Sequence, residues 1–184
     1  MTRDEHRILL GTVLVLVMLR GAFALTGSSL SGRLSVPPSY DDVTYFVDAL
    51  RRLRLLYDQG FFALLMDLLQ QTTHSPLSFF LAFFGFGLLG VREVAPYVMN
   101  ACVLSLWVWM MLRLAGAPLA DAIVIAAILI LLPYNDWIIT FFHPDALAGL
   151  IVALACSMVL MRDPFAMGVR SLMVCGLTAG LGLI

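Results

Sequence analysis

The sequence contains no lysine, few charges and few cysteines, and each shortage excludes something. All 11 basic residues are Arg and the formal net charge is −1. That leaves no basic stripe for a phosphate backbone, so nucleic acid is excluded as a partner. Charged residues are 12% of the 184 positions, against about 25% in an ordinary soluble domain, which excludes a solvated disordered chain. The three cysteines, Cys102, Cys156 and Cys175, are scattered through apolar runs with no metal-ligand spacing. They read as small buried packing residues rather than a disulfide or zinc set. What fills the chain instead is apolar: 61% of residues are of hydrophobic type and the mean hydropathy is +0.97. The bilayer is the expected solvent.

A helix needs about 20 apolar residues to cross the hydrocarbon core. Residues 8–26 qualify with only Arg20 interrupting, 94–112 carry no charge, and 119–134 hold only Asp121 near their start. Residues 145–161 follow His143-Pro144-Asp145, and 171–184 begin another run. The expected fold is therefore an all-α polytopic membrane protein, one membrane domain over 1–184, with about five transmembrane helices. The last run reaches Ile184 without a polar flank, so the chain reads as an incomplete part of a longer one. Arg3 and Arg7 before an apolar stretch, with Ala22-Phe23-Ala24 behind it, also fit a cleaved signal; everything downstream is membrane-bound in either case.

Between the first two clear spans lies a loop region, 27–93. Gly, Ser and Pro dominate 27–39 and end at Pro37-Pro38. Val43, Phe46, Val47, Leu50, Leu53 and Tyr57 then recur at three- and four-residue steps, which predicts an amphipathic helix lying flat on the membrane. Thr44, Asp48, Arg51 and Arg52 take its other side, with Asp48 and Arg52 spaced as an i,i+4 pair. Arg51, Arg52 and Arg54 read as a solvated face touching lipid headgroups. Gly60 ends this helix, and 61–71 repeats the pattern as a second juxtamembrane helix. Residues 76–91, with their Phe-rich run, are short for a span. If they cross, Arg113, Arg162 and Arg170 fall outside the cytoplasm. If they do not, these join Arg3 and Arg7 inside, which the positive-inside rule prefers. On that arrangement 27–93 is one extracytoplasmic loop, and 134–145 emerge on the same face.

The residues able to carry chemistry are few. Asp41-Asp42 opens the first amphipathic helix, where two carboxylates can cap the helix, accept a proton or hold a divalent cation. His74-Ser75-Pro76-Leu77 opens the next, with Pro as a first-turn residue. His143-Pro144-Asp145 repeats that construction beside a membrane helix, where ionisable groups are expensive and mark function, although Asp145 also suits an acidic first turn.

A first membrane helix, an acidic pair in Tyr40-Asp41-Asp42-Val43-Thr44-Tyr45, two amphipathic helices, His74-Ser75-Pro76-Leu77 and a Phe/Leu/Gly-rich helix together resemble the amino-terminal half of the C-type polytopic glycosyltransferases. That group includes the protein O-mannosyltransferases and the lipid A aminoarabinose transferases. The resemblance covers roughly residues 8–162. The pair here is Asp-Asp where the family commonly has Asp-Glu, and Ser75 stands where it commonly has the first Pro of His-Pro-Pro-Leu. The resemblance implies transfer of a sugar from a polyprenyl-phosphate-linked donor to an extracytoplasmic acceptor (a glycan, lipid or protein), usually with inversion at the sugar carbon. By position it makes Asp41 the general base or acceptor-orienting carboxylate and Asp42 its assistant or a ligand for a divalent cation. It makes His74, His143 and Asp145 candidates for the carrier phosphate and acceptor region. Arg in place of Lys, with abundant Ala, Leu and Gly, is compatible with a high-GC bacterial gene and an inner-membrane location. The composition alone equally fits a non-catalytic transporter or assembly-subunit fragment.

Overall fold

The computed structural model describes residues 1–30, 40–71, 76–140, 144–160 and 173. Among these the regular structure is entirely helical. Helix α1, Arg3–Leu30, starts at a capping box: the Thr2 amide donates to Glu5 Oε2 at 2.6 Å and the Glu5 amide donates to Thr2 Oγ1 at 3.3 Å. The amphipathic helices are α2, Tyr40–Gln59, and α3, Phe61–Gln70, separated by Gly60 at φ 85°, a left-handed conformation that costs glycine nothing. Next come α4, Pro76–Leu89, and α5, Ala95–Ala115, which ends on Gly116 in the left-handed conformation. The rest are α6, Leu119–Leu131, α7, Tyr134–Thr140, and α8, Pro144–Leu160.

Two of these, α1 over Arg3–Gly27 and α5, are long and apolar enough to cross a membrane. The run expected at 119–134 stops earlier. Leu132 precedes Pro133, which disfavours the helical conformation, and Leu132 adopts ψ 132°. Helix α6 is therefore about 20 Å long, and α4 with 14 residues about 21 Å, both short of a hydrocarbon core of about 30 Å.

Helices α1 and α5 run antiparallel. The Trp109 indole N–H donates to the His6 carbonyl at 3.2 Å near one end, while Gly21 faces Ala101 near the other. Leu9, Val13 and Val17 form the buried stripe of α1 against Leu104, Val108 and Leu112 of α5 and the small residues Ala122 and Ala126 of α6. Between apolar helices in lipid, close packing of small residues supplies the attraction that water-driven burial supplies elsewhere. On the other side of α1, Val15, Leu19 and Phe23 are exposed. A helix apolar all round suits lipid and not water. Helix α8 follows α5, with the Trp107 indole N–H donating to the Leu150 carbonyl at 2.7 Å. Cys102 is half-buried and Cys156 exposed, so the latter is not the buried packing residue expected of it.

The second core cluster joins α2, α3, α4 and the start of α5. Phe46 meets Phe86 and Tyr97 edge-on at 5.7 and 5.9 Å between centroids. The Phe-rich run of α4 is divided: Phe79, Phe83 and Phe86 are buried and Phe80 and Phe84 exposed. Helix α4 is thus sandwiched by α2 and α5. It can approach because Gly85 meets the Ala95 backbone directly, and Gly90, at φ 82°, turns the chain between the two helices.

Candidate functional site

Asp41 and Asp42 are the second and third residues of α2, and Asp145 is the second residue of α8. Their side chains, and His74 and His143 entirely, lie outside the described residues. What is described is the packing next to three of them. Tyr45 and Phe46, one turn beyond the acidic pair, belong to the same apolar cluster as Tyr97 in the first turn of α5 and Leu147, two residues beyond Asp145. The first turns of α2, α5 and α8 are therefore anchored in one core.

Nearby, α7 is tied to the ends of its neighbours. The Asn135 side-chain amide donates to the Leu129 carbonyl at the end of α6, which also accepts the Leu132 amide at 3.2 Å. Asn100 of α5 donates to the Ile138 carbonyl at 3.3 Å. These bonds fix the chain just before residues 141–143.

The charged cluster that the structure does reveal lies between α2 and α3. Arg52, expected on a solvated face, is 1% exposed. Its guanidinium donates to Asp67 Oδ2 at 2.5 Å, to Asp48 Oδ2 at 2.6 Å and to the Gln71 carbonyl at 2.6 Å, and it lies 4.8 Å from the Phe79 ring centroid. Arg51 adds a bidentate contact to Asp67 at 2.8 and 2.9 Å and a contact to Asp48 at 3.3 Å. Two guanidinium groups thus face two carboxylates, and the cluster is neutral. The hydrogen bonds from Arg51, then from Arg52, hold the Asp67 carboxyl down at about 2 against an ordinary 3.8. Asp67 in turn raises the Arg51 pKa.

A carboxylate so strongly held is a poor base at neutral pH, so this cluster is a clamp and not a proton-transfer site. It closes α3 back on α2, and through the Gln71 carbonyl it fixes the chain immediately before residues 72–75. The Asp48–Arg52 spacing is visible in the sequence. The third partner, Asp67, is not, because it comes from a different helix.

Among the described residues no group of three or more His, Cys, Asp or Glu side chains is arranged to hold a metal ion. The acidic pair suggested for a divalent cation lies outside that statement. Comparison of the chain with family models, curated proteins and solved structures finds no match.

Proposed function

We propose that this chain is part of a multi-pass membrane glycosyltransferase that takes a sugar from a polyprenyl-phosphate-linked donor and passes it to an extracytoplasmic acceptor. The order of Asp41-Asp42, His74 and His143-Pro144-Asp145 along the sequence supports this reading. One feature of the fold is consistent with it: α1 and α5 run in opposite directions, so residues 31–94 leave and rejoin the same end of that pair. Residues 132–140 pack at that end too, through Ile138 and Ile139 against Asn100 and Gly21. All five candidate residues belong to segments attached there.

In this reading α6, short as it is, crosses by thinning the bilayer locally, and with α8 and the run beginning near residue 171 it joins α1 and α5 as about five membrane-spanning helices. Arg3, Arg7 and Arg113 lie on the cytoplasmic side and the candidate site on the other. Asp41 takes the proton from an acceptor hydroxyl or amine as its oxygen or nitrogen bonds to the sugar carbon. The bond from that carbon to the carrier phosphate breaks, and the polyprenyl phosphate leaves with the electron pair. Asp42 assists Asp41 or holds a divalent cation; His74, His143 and Asp145 receive the carrier phosphate and the acceptor.

Membranes containing the full-length protein should transfer radiolabelled sugar from a polyprenyl-phosphate donor. Asp41→Asn should lower the rate about 100-fold or more, as loss of a general base does, with expression and insertion unchanged. Equal transfer by both proteins removes Asp41 from the chemistry. If Asp41→Asn instead lowers only stability, by about 1 kcal/mol as a lost helix cap does, the residue is a cap and the non-catalytic membrane subunit becomes the better reading.

A further inference from the structure

The exposed side of α2 borders an open groove of about 720 Å³, walled by Val47, Leu50 and Leu53 of α2 and by Val91 beyond α4. Arg51, Arg54 and Asp58 stand along its polar side. Arg51 is already neutralised by Asp67 and Asp48 in the clamp. Arg54 and Asp58 are different: they are exposed, one turn apart on the same helix, and among the described residues neither forms an ion pair with the other or with any third group. The groove thus offers one positive and one negative charge side by side, next to the exposed apolar residues Val47 and Val91, with half-buried Leu50 and buried Leu53 between them and the core.

That pattern selects among amphiphiles. A purely anionic headgroup would satisfy Arg54 and be repelled by Asp58. A neutral sugar would leave both charges without a counter-ion. A zwitterion with phosphate and ammonium joined by a two-carbon bridge meets both, since side chains at i and i+4 stand about 5–6 Å apart at their bases. A primary ammonium also carries N–H groups to donate to a carboxylate, which a quaternary choline nitrogen lacks. The apolar wall accounts for the rest of such a molecule. In a chain whose α1 and α5 are long and apolar enough to cross a membrane, and whose α2 is amphipathic, the bilayer supplies that molecule.

We propose that the α2 groove is a binding site for the headgroup of a phosphatidylethanolamine-type lipid. Its phosphate sits on Arg54, its ammonium on Asp58, and its upper acyl chain runs over Val47, Leu50 and Val91. This site does not depend on the proposed sugar transfer and uses none of its residues. It gives α2 a fixed depth and orientation at the membrane surface through one structural lipid.

The test is native mass spectrometry of the purified full chain, released from detergent after incubation with phosphatidylethanolamine, phosphatidylcholine or phosphatidylglycerol of identical acyl chains. Phosphatidylethanolamine should be retained over each of the others by about fivefold, the ratio expected of one net charge-assisted contact. Arg54→Gln should lower retention of all three. Asp58→Asn should erase the preference for phosphatidylethanolamine over phosphatidylglycerol. Both side chains are exposed and without ion-pair partners, so the variants should unfold like the parent. Equal retention of the ethanolamine and choline lipids overturns the proposal, as does an unchanged preference in Asp58→Asn. Binding of soluble phosphoethanolamine as tight as that of the lipid overturns it too, assigning the groove to a soluble zwitterion.

Discussion

Replacing Gly85 by alanine would push a methyl group into the backbone of the next helix. The added Cβ would stand 2.9 Å from the Ala95 carbonyl oxygen, 3.0 Å from its carbon and 3.1 Å from the Pro96 nitrogen. None of these atoms belongs to a side chain that can rotate aside, and Ala95 and Pro96 are themselves buried. Relief requires α4 to move off α5, which loosens the edge-on contacts of Phe46 with Phe86 and Tyr97. Overpacking of this kind costs about 1–3 kcal/mol, and an obstruction made of backbone belongs in the upper half of that range. Against it stands the better helix propensity of alanine, worth about 1 kcal/mol. Gly87→Ala supplies the reference. It sits in the same helix, its added Cβ would lie 3.7 Å from Leu53 Cδ1, an ordinary contact, and it gains the same propensity. The difference between the two variants therefore isolates the steric cost, and Gly85→Ala should be less stable than Gly87→Ala by about 2–3 kcal/mol. Denaturant titrations in mixed micelles, followed by tryptophan fluorescence, measure it. If Gly85→Ala is as stable as Gly87→Ala, the close passage of α4 over the start of α5 is wrong, and with it the placing of α4 between α2 and α5.

Arg52→Met removes the centre of the α2–α3 clamp and leaves two carboxylates to Arg51 alone. The loss should be about 2–3 kcal/mol in the same titration, below the value for a fully enclosed pair because Asp48 remains partly exposed. A cost under about 0.5 kcal/mol, the range of an ordinary surface change, would return Arg52 to the solvated face. Acid should open the same clamp. The Asp67 carboxyl is lowered from 3.8 to about 2, so its contribution is complete above the unfolded value and fades as pH falls through the folded one. The effect is at most about 2 kcal/mol, and nearer 1 kcal/mol once screening on the exposed Arg51 side is allowed for. Unfolding titrations at pH 5 and pH 2.5 should differ by more in the parent than in Asp67→Asn, and equal differences would remove Asp67 from the acid response. In a cysteine-free background, Tyr57→Cys and Glu93→Cys lie before and after α4 and Arg113→Cys lies in the last turn of α5. An impermeant thiol reagent should label the first two from one side of the membrane and the third only from the other. Labelling of 57 and 93 from opposite sides would mean that α4 crosses.

The helices were legible where one residue pattern decides them. The steps from Val43 to Tyr57 give α2, the uncharged run gives α5, and Gly60 separates α2 from α3. The end of α6 was legible in principle at Pro133, but an unbroken apolar run outweighed one proline. The Thr2–Glu5 capping box was also present in the sequence and hidden by the first apolar span behind it. Arg52 shows the limit of reading a helix alone. Its spacing from Asp48 is local, but its burial depends on Asp67 and Phe79, which reach it only after α3 and α4 fold back over α2. For the candidate site, the sequence yields residue types and order. The structure adds the shared core beneath the first turns of α2, α5 and α8, and it does not extend to the side chains of Asp41, Asp42, His74, His143 or Asp145.

Because α5 returns along α1, the stretch between them is an excursion that begins and ends on one side, whatever its length. Material can be inserted, deleted or exchanged there without reversing the direction in which any later helix runs. The tight turn from α5 to α6 has no such freedom, since a single extra crossing would invert everything after it. The α2–α4 segment is thus the part of this chain most open to insertion or exchange, while the α1–α5 pair stays the same.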